Sequence, residues 1–201
     1  MQAAPSVTTP PAAALVNLEV ATFASWKSVF DGHAPSRRQA GILATQVHRR
    51  ADDPRQVTVF LAAADFETLG AFLASRERAE AMKRAGVVGT PAVSFVVPVE
   101  DHLVKDRPLV GALVRHQVVE LAAWKAGFDA RQAARDAAGI VGHAVCRAKD
   151  DPNDVFVYLQ AESLERLRAF MGSQDLKSAM ARGGVRGEAQ VSLVESEPFG
   201  S

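Results

Sequence analysis

The segment WKAGFD, residues 124–129, repeats the segment WKSVFD of residues 26–31 at an offset of 98 positions. The same offset holds without a gap between residues 15–97 and 113–195, and about 35 of the 83 aligned positions are identical. Unrelated segments do not share so many residues, so the chain contains one module twice. Each copy, at about 85 residues, can hold a core but is small enough that the two copies are expected to share an interface.

Composition indicates a globular protein without the signature of a nucleic-acid-binding or membrane protein. Basic and acidic residues both number 23, so the chain has no basic footprint for nucleic acid. No apolar run reaches the roughly 18 residues of a membrane span. The single cysteine, Cys146, excludes an intrachain disulfide framework and is compatible with a reducing environment. We therefore expect a cytoplasmic protein whose partner is a small molecule, with no nucleic acid and no membrane.

The repeat boundaries predict how the chain is divided. The N-terminal residues are rich in Pro, Ala and Thr, a composition typical of a disordered arm. The segment between the repeats is polar and contains two prolines, as expected for a linker. The predicted segments are the arm 1–14, the first module 15–98, the linker 99–109, the second module 110–196 and the C-terminal tail 197–201.

Sequence periodicity predicts the order strand, helix, strand, strand, helix, strand in each module. Polar and apolar residues alternate over residues 15–20, as in a half-buried strand. Trp26 and Phe30 then lie on one helical stripe, the pattern of a helix packed on a sheet. The sequence Asp-Asp-Pro, at 52–54 and again at 150–152, is typical of a turn and lies between two apolar runs. It therefore predicts an antiparallel hairpin.

Proline and serine residues predict where the helices are interrupted. Pro35 is expected to shorten the first helix of the first module. The second module has Ala133 there, so its first helix is expected to continue to about Ala138. Ser75 and Ser173 are expected to break the second helix of their modules and to cap its restart.

This order of elements is the ferredoxin-like split unit, βαββαβ, of the α+β class. Its four-stranded antiparallel sheet has helices on one face only, so the other face needs a cover. A second copy of the same sheet supplies that cover within one chain. We predict two tandem ferredoxin-like modules that form an intramolecular pseudo-dimeric α+β barrel, as a monomeric pseudo-dimer or a homodimer.

Three motifs occur in both modules: the WKxxFD helix, the Asp-Asp-Pro turn and a GV-x-G sequence before the last strand, at 86–89 and 184–187. With them the chain resembles the dimeric α+β barrel superfamily, which includes the antibiotic-biosynthesis monooxygenases. It looks most like a tandem-repeat member of a bacterial branch of small proteins. The resemblance implies the barrel fold; the superfamily's activities include cofactor-free oxygenases, haem enzymes, polyketide cyclases and stress-response binders.

None of the five histidines is present in both modules. His102 lies in the linker, and the other four align with different residue types in the opposite copy. The aligned pairs are His33 with Arg131, His48 with Cys146, His116 with Leu18, and His143 with Thr45. A symmetric histidine site is therefore excluded, and imidazole chemistry would belong to one module only.

The sequence contains no recognisable metal or cofactor motif. Zinc needs three or four converging ligands, and no cluster of Cys, His and Asp has that spacing. No Gly-rich phosphate loop, GxSxG or HExxH motif is present. His143 and Cys146 are three residues apart on one predicted strand, so they should point to opposite faces and not form a catalytic pair. We predict neither a metal nor a cofactor.

Two residue pairs shared by the modules are interpreted structurally. Trp26 and Trp124 lie on the apolar helical stripes and are expected to anchor the cores, with a role as ligand platform as the alternative. Arg37 and Arg135 lie near the ends of the first helices and are expected to form structural salt bridges, with a functional role as the alternative.

The asymmetry between the copies predicts the site. Polar side chains that replace apolar ones on a sheet need a partner or a ligand, because a buried polar group without one costs about 1–3 kcal/mol. We expect a small-molecule site in the second module, lined by His116, Trp124 and Tyr158 with His143 nearby. Two function classes remain open: a non-catalytic binding or stress-response module, and a cofactor-free monooxygenase or polyketide-cyclase-like enzyme acting on an aromatic or polycyclic metabolite.

Overall fold

The computed structural model describes residues 12–200 and contains sixteen elements in two similar sets. The first module comprises β1 (Ala12–Val20), α1 (Phe23–Gly32), α2 (Ala34–Gln39), β2 (Ile42–Arg50), β3 (Gln56–Ala63), α3 (Phe66–Ala74), α4 (Arg76–Arg84) and β4 (Val87–His102). The second comprises β5 (Leu109–Val118), α5 (Leu121–Asp129), α6 (Gln132–Ala137), β6 (Ile140–Ala148), β7 (Asp154–Ala161), α7 (Leu164–Gly172), α8 (Gln174–Arg182) and β8 (Val185–Ser196). Within residues 12–200, no helix is long and apolar enough to cross a membrane.

The eight strands close into one barrel in the order β1-β3-β2-β8-β5-β7-β6-β4. Within each module the strands pair as in the ferredoxin-like unit. The modules are joined by two antiparallel seams, β2 with β8 and β4 with β6. The predicted fold is therefore confirmed: two ferredoxin-like modules form an intramolecular α+β barrel.

Strand alternation separates each sheet into a helix-facing side and a barrel-facing side. On β1, Val16 and Leu18 face the helices and join a core with Trp26. Leu15 and Asn17 face the barrel interior. The second module has an equivalent helix-side core around Trp124. Each module thus has its own core, and the barrel interior is a third, shared space.

The first helix is interrupted in both modules, so the predicted continuous helix in the second copy is wrong. Proline is not the cause, because Ala133 replaces it there. In both modules an arginine of the second half donates back to the first half: Arg37 donates to the carbonyl of Phe30, and Arg135 to that of Phe128. Each guanidinium also lies over the ring of the same phenylalanine, 3.7 Å and 3.8 Å from its centroid.

The predicted salt bridges of Arg37 and Arg135 are therefore also wrong: within residues 12–200 neither guanidinium pairs with a carboxylate. By contrast, the predicted serine breaks are confirmed. The hydroxyl oxygen of Ser75 accepts from the amide of Arg78, and that of Ser173 accepts from the amide of Leu176, both at 3.2 Å.

Strand pairing changes three of the predicted boundaries. Residues 12–14 belong to β1 rather than to an arm, because Ala12 and Ala13 pair with β3; residues 1–11 of the predicted arm lie outside the described chain. β4 continues to His102 because β6 pairs with it, so only residues 103–108 connect the modules. In the predicted tail, Gly200 pairs with Thr45.

The two seams differ in chemistry. At the β2–β8 seam, the Tyr158 hydroxyl donates to Ser196 Oγ at 2.7 Å, and this oxygen lies 2.8 Å from His48 Nδ1. All three side chains are buried. The residues at the equivalent positions, 98 away, are Phe60, Pro98 and Cys146. The three polar residues thus occur together at this seam, where they form one hydrogen-bonded network.

Ser196→Ala is expected to destabilise the protein by about 1–3 kcal/mol, because it removes the hydrogen-bond partner that His48 and Tyr158 share. Tyr158→Phe should cost about 1 kcal/mol in the native protein and less in the Ser196→Ala background. Urea denaturation of the four proteins of this cycle measures the coupling. Ser192→Ala, on the same strand, is the matched control and should change the free energy of unfolding by less than about 0.5 kcal/mol. Additive single effects would contradict the network.

Candidate functional site

The structure brings together only two of the four residues predicted to line one site. His116 on β5 and Trp124 on α5 face each other between the second sheet and its helices, with ring centroids 5.3 Å apart. Tyr158 lies on the opposite face of the sheet, in the barrel interior. His143 lies on the helix side but beside Glu100 and Phe128. The expectation of one cluster fails because Tyr158 and His116 have opposite strand parity.

The pocket that contains His116 and Trp124 lies between the sheet and the helices of the second module. Its volume is about 340 Å³, and its walls are mostly apolar. Trp124 stacks on Phe128 with centroids 5.2 Å apart and forms one side. Met171 and Met180 contribute flexible side chains from the second pair of helices. Pockets of this kind bury planar apolar molecules and orient them through a few polar groups.

His116 is the principal polar group of this pocket. Its side chain is buried, with 5% of the residue exposed, and neither ring nitrogen has a hydrogen-bond partner within residues 12–200. Burial lowers the pKa of the imidazole to about 4, against a smaller opposing effect of the Asp154 carboxylate. His116 is therefore neutral at pH 7 and offers one donor and one acceptor to the pocket. An unpaired buried group of this kind costs stability.

Arg135 provides a second polar group at the pocket wall. Its guanidinium uses one nitrogen for the carbonyl of Phe128 and another for Gln132 Oε1 at 2.6 Å, while Nε has no partner within residues 12–200. Burial lowers the pKa of this guanidinium, but arginine stays charged at neutral pH. The pocket therefore combines a neutral imidazole with a positive charge.

The first module has a pocket of about 320 Å³ in the same place, which serves as an internal comparison. Trp26 stacks on Phe30 there with centroids 5.0 Å apart, and Arg37 occupies the position of Arg135. Burial lowers the pKa of Arg37 to about 10. The position of His116 is taken by Leu18, which has no polar atom to present. A sheet imidazole thus distinguishes the second pocket from the first.

The barrel interior is a larger cavity of about 580 Å³, lined by both modules. Its buried His48 and Tyr158 are both hydrogen-bonded to Ser196. These side chains therefore have partners without a ligand. Burial raises the pKa of the Cys146 thiol and of the Tyr158 phenol, each to about 12, so neither is ionised at neutral pH. Cys146 also lies on the face opposite to His143, which confirms the predicted parity. This cavity offers no activated nucleophile among the described residues.

Arg135 and Glu100 contribute to the surroundings of the predicted residues, and sequence reasoning did not assign them to a site. Arg135 carries a usable signal, because it recurs as Arg37 in the other copy. Glu100 carries none, since it lies in the predicted linker and reaches His143 only through the pairing of β4 with β6. Burial lowers the pKa of His143, and the hydrogen bond to Glu100 partly offsets this effect.

Comparison with known proteins gives structural relatives only. No family model and no curated protein matches the sequence. An anthrone oxidase-like protein is similar over 98% of this chain and 95% of its own, with a TM-score of 0.69 and 14% identity. A proposed monooxygenase from Lactobacillus acidophilus NCFM covers 96% of this chain and 97% of its own, with a TM-score of 0.64 and 12% identity.

A chlorite dismutase mutant from Candidatus Nitrospira defluvii covers 94% of this chain and 93% of its own, with a TM-score of 0.56 and 12% identity. These similarities extend over nearly the whole barrel, so the chain and these proteins share one fold. At such low identities they establish the fold and no activity.

The free energy of unfolding is expected to fall as the pH is lowered from about 6.5 to about 4. Burial lowers the pKa of His48 to about 3 and that of His116 to about 4, so the unfolded chain takes up protons that the folded chain does not. Well above pH 6.5 both histidines are neutral in the folded and the unfolded chain. The free energy of unfolding then no longer depends on their protonation. Urea denaturation at stepped pH measures the profile. His116→Leu should flatten it, and an identical profile for that variant would contradict the assignment.

Proposed function

We propose that the chain is a small-molecule-binding protein whose ligand occupies the sheet–helix pocket of the second module. The observation that supports this proposal is the buried His116 imidazole, which faces the pocket without a hydrogen-bond partner. Trp124 supplies an aromatic wall for a planar ligand. The proposal keeps two of the residues predicted from sequence and assigns no ligand contact to Tyr158 or His143.

The pocket favours a planar aromatic ligand with an acidic hydroxyl or a carboxylate. The apolar walls and the indole favour flat rings, and a volume of about 340 Å³ suits a molecule of a few fused rings. Neutral His116 can accept a hydrogen bond from a hydroxyl group. The nearby Arg135 guanidinium stabilises negative charge on the ligand, because a charge pair is stronger in a buried site than in water. An uncharged apolar molecule leaves His116 and the Nε atom of Arg135 without partners and should bind more weakly.

His116→Leu tests the proposal, since it places in the second module the residue that the first module has at position 18. The variant should fold and should gain about 1–3 kcal/mol of stability, because an unpaired buried group is removed. In a thermal-shift and calorimetric screen of hydroxylated or carboxylated aromatic compounds, the native protein should bind and the variant should lose at least about tenfold in affinity, the cost of one hydrogen bond.

The reciprocal change, Leu18→His, provides the matched control. It places an imidazole in the first pocket, which already contains Trp26 and Arg37. The number of bound ligands per chain should rise from one towards two. Binding that survives His116→Leu unchanged, or that is abolished by Trp26→Phe in the first module, would refute the assignment to the second pocket.

A cofactor-free oxygenase or cyclase is the second candidate, favoured by the same neutral imidazole. In this reading His116 takes a proton from an acidic C–H or O–H group of an aromatic substrate, and Arg135 stabilises the anion. Anthrone is a suitable probe, because it is planar and has an acidic C–H group. Oxygen uptake with anthrone that depends on His116 would favour the enzyme, whereas tight binding without turnover would favour the carrier.

A further inference from the structure

Three potential metal ligands converge at the β4–β6 seam, outside the pocket described above. His102 and His143 are direct partners across the two strands, and Glu100 lies two residues from His102 on β4. Glu100 Oε1 lies 2.9 Å from His102 Nε2 and 3.3 Å from His143 Nε2. The three ligand atoms all lie within 4.8 Å of one another. Their convergence depends on both modules, because Glu100 and His102 belong to the first module and His143 belongs to the second.

A register shift in β4 explains why these side chains share a face. The pairing with β6 slips between Pro98 and Glu100, as in a β-bulge. Pro98 pairs with Cys146, and both line the barrel interior. Beyond the shift, Glu100 pairs with Val145, and its carboxylate reaches His143 and Lys125 on the helix side, although the residue also borders the barrel cavity. Without the extra residue, strand alternation would direct Glu100 into the barrel instead.

Two of the three residues are mostly buried and one is exposed, so an ion held by them would keep one side open to solvent. His143 and Glu100 are mostly buried, with 6% and 17% of their side chains exposed, and are held by neighbouring groups. His102 is 64% exposed and free to adjust. Ligand atoms on a tetrahedral zinc ion are about 3.3 Å apart. The separations of 2.9 Å and 3.3 Å from Glu100 Oε1 are close to this value, so small side-chain adjustments suffice to place the three atoms around one ion.

The surrounding charges affect this cluster in a testable direction. Lys125 Nζ lies 2.6 Å from Glu100 Oε2, the carboxylate oxygen that does not face the histidines. Lys125 also pairs with Asp129, which has no other role at the cluster. The ammonium orients Glu100 but opposes a nearby cation, so it should weaken metal binding without preventing it.

We propose that Glu100, His102 and His143 bind one zinc ion that bridges the two modules at the β4–β6 seam. Two imidazole nitrogens and one carboxylate oxygen are a ligand set that zinc accepts, with a fourth position left to water. Mg²⁺ and Ca²⁺ prefer oxygen ligands and should not bind there. The ion would connect strands of both modules, so it should raise the thermal unfolding temperature.

Isothermal titration of the untagged full chain with Zn²⁺ tests the proposal. We expect one ion per chain, a higher thermal unfolding temperature with Zn²⁺, and no such change with Mg²⁺. Affinity should fall at least about tenfold in Glu100→Gln, His102→Gln and His143→Gln, since even residues that only support a ligand contribute that much. The His102 side chain is largely exposed, so His102→Gln keeps the test valid if a buried substitution prevents folding.

Two further variants separate this site from adventitious binding. His33→Gln is the matched control, because half-buried His33 lies 3.8 Å from a single carboxylate, that of Glu77, and should not affect the affinity. Lys125→Met should tighten Zn²⁺ binding about tenfold by removing a neighbouring positive charge. Absence of stoichiometric binding, equal loss in His33→Gln, or an affinity unchanged by both His102→Gln and Lys125→Met would overturn the proposal.

Discussion

The fold depends on one constraint: a ferredoxin-like sheet has helices on one face and must cover the other. Covering it with a second copy places the barrel-facing side chains of both modules in one interior, where Tyr158 meets His48 across the β2–β8 seam. Burial of that interior makes each polar atom costly unless it has a partner. Within residues 12–200, the buried His48, Tyr158 and Ser196 of that interior are partnered with one another, whereas His116 on the helix side has no partner.

Duplication lets each copy act as a comparison for the other. Residues retained in both, such as the tryptophans and the arginines that bridge the broken first helix, maintain the architecture. Residues found in one copy occur in groups: the His48, Tyr158 and Ser196 network at one seam replaces three groups that form no such bonds at the other. His116 differs, because no second polar residue has appeared on the sheet to satisfy it. The two kinds of substitution therefore differ in whether the new polar group has a partner within the described residues.

The strands, the order of elements and the barrel could be predicted from the sequence, because they follow from local alternation of polar and apolar residues and from the repeat. Strand parity also placed His143 and Cys146 on opposite faces. What could not be predicted depends on long-range pairing. The strand β4 continues into the predicted linker because β6 pairs with it. The register shift after Pro98 then changes the side of the sheet to which the Glu100 side chain points. The helix break near Phe128 likewise coincides with a hydrogen bond from Arg135 to the Phe128 carbonyl, a contact between residues seven apart that periodicity does not predict.

The seams also differ in extent, with six residue pairs joining β4 to β6 but only three joining β2 to β8. During synthesis, β8 leaves the ribosome after every other barrel strand, so the shorter seam cannot close until the whole barrel sequence has been made. Until then β2 presents a free edge with unpaired amide and carbonyl groups, a template for strands of other chains. Its partner lies about 148 residues away along the chain, as the hydrogen bond between His48 and Ser196 shows. Closure of the barrel therefore requires pairing over a long sequence separation, and until it occurs the chain is exposed to exchange of strands with its neighbours.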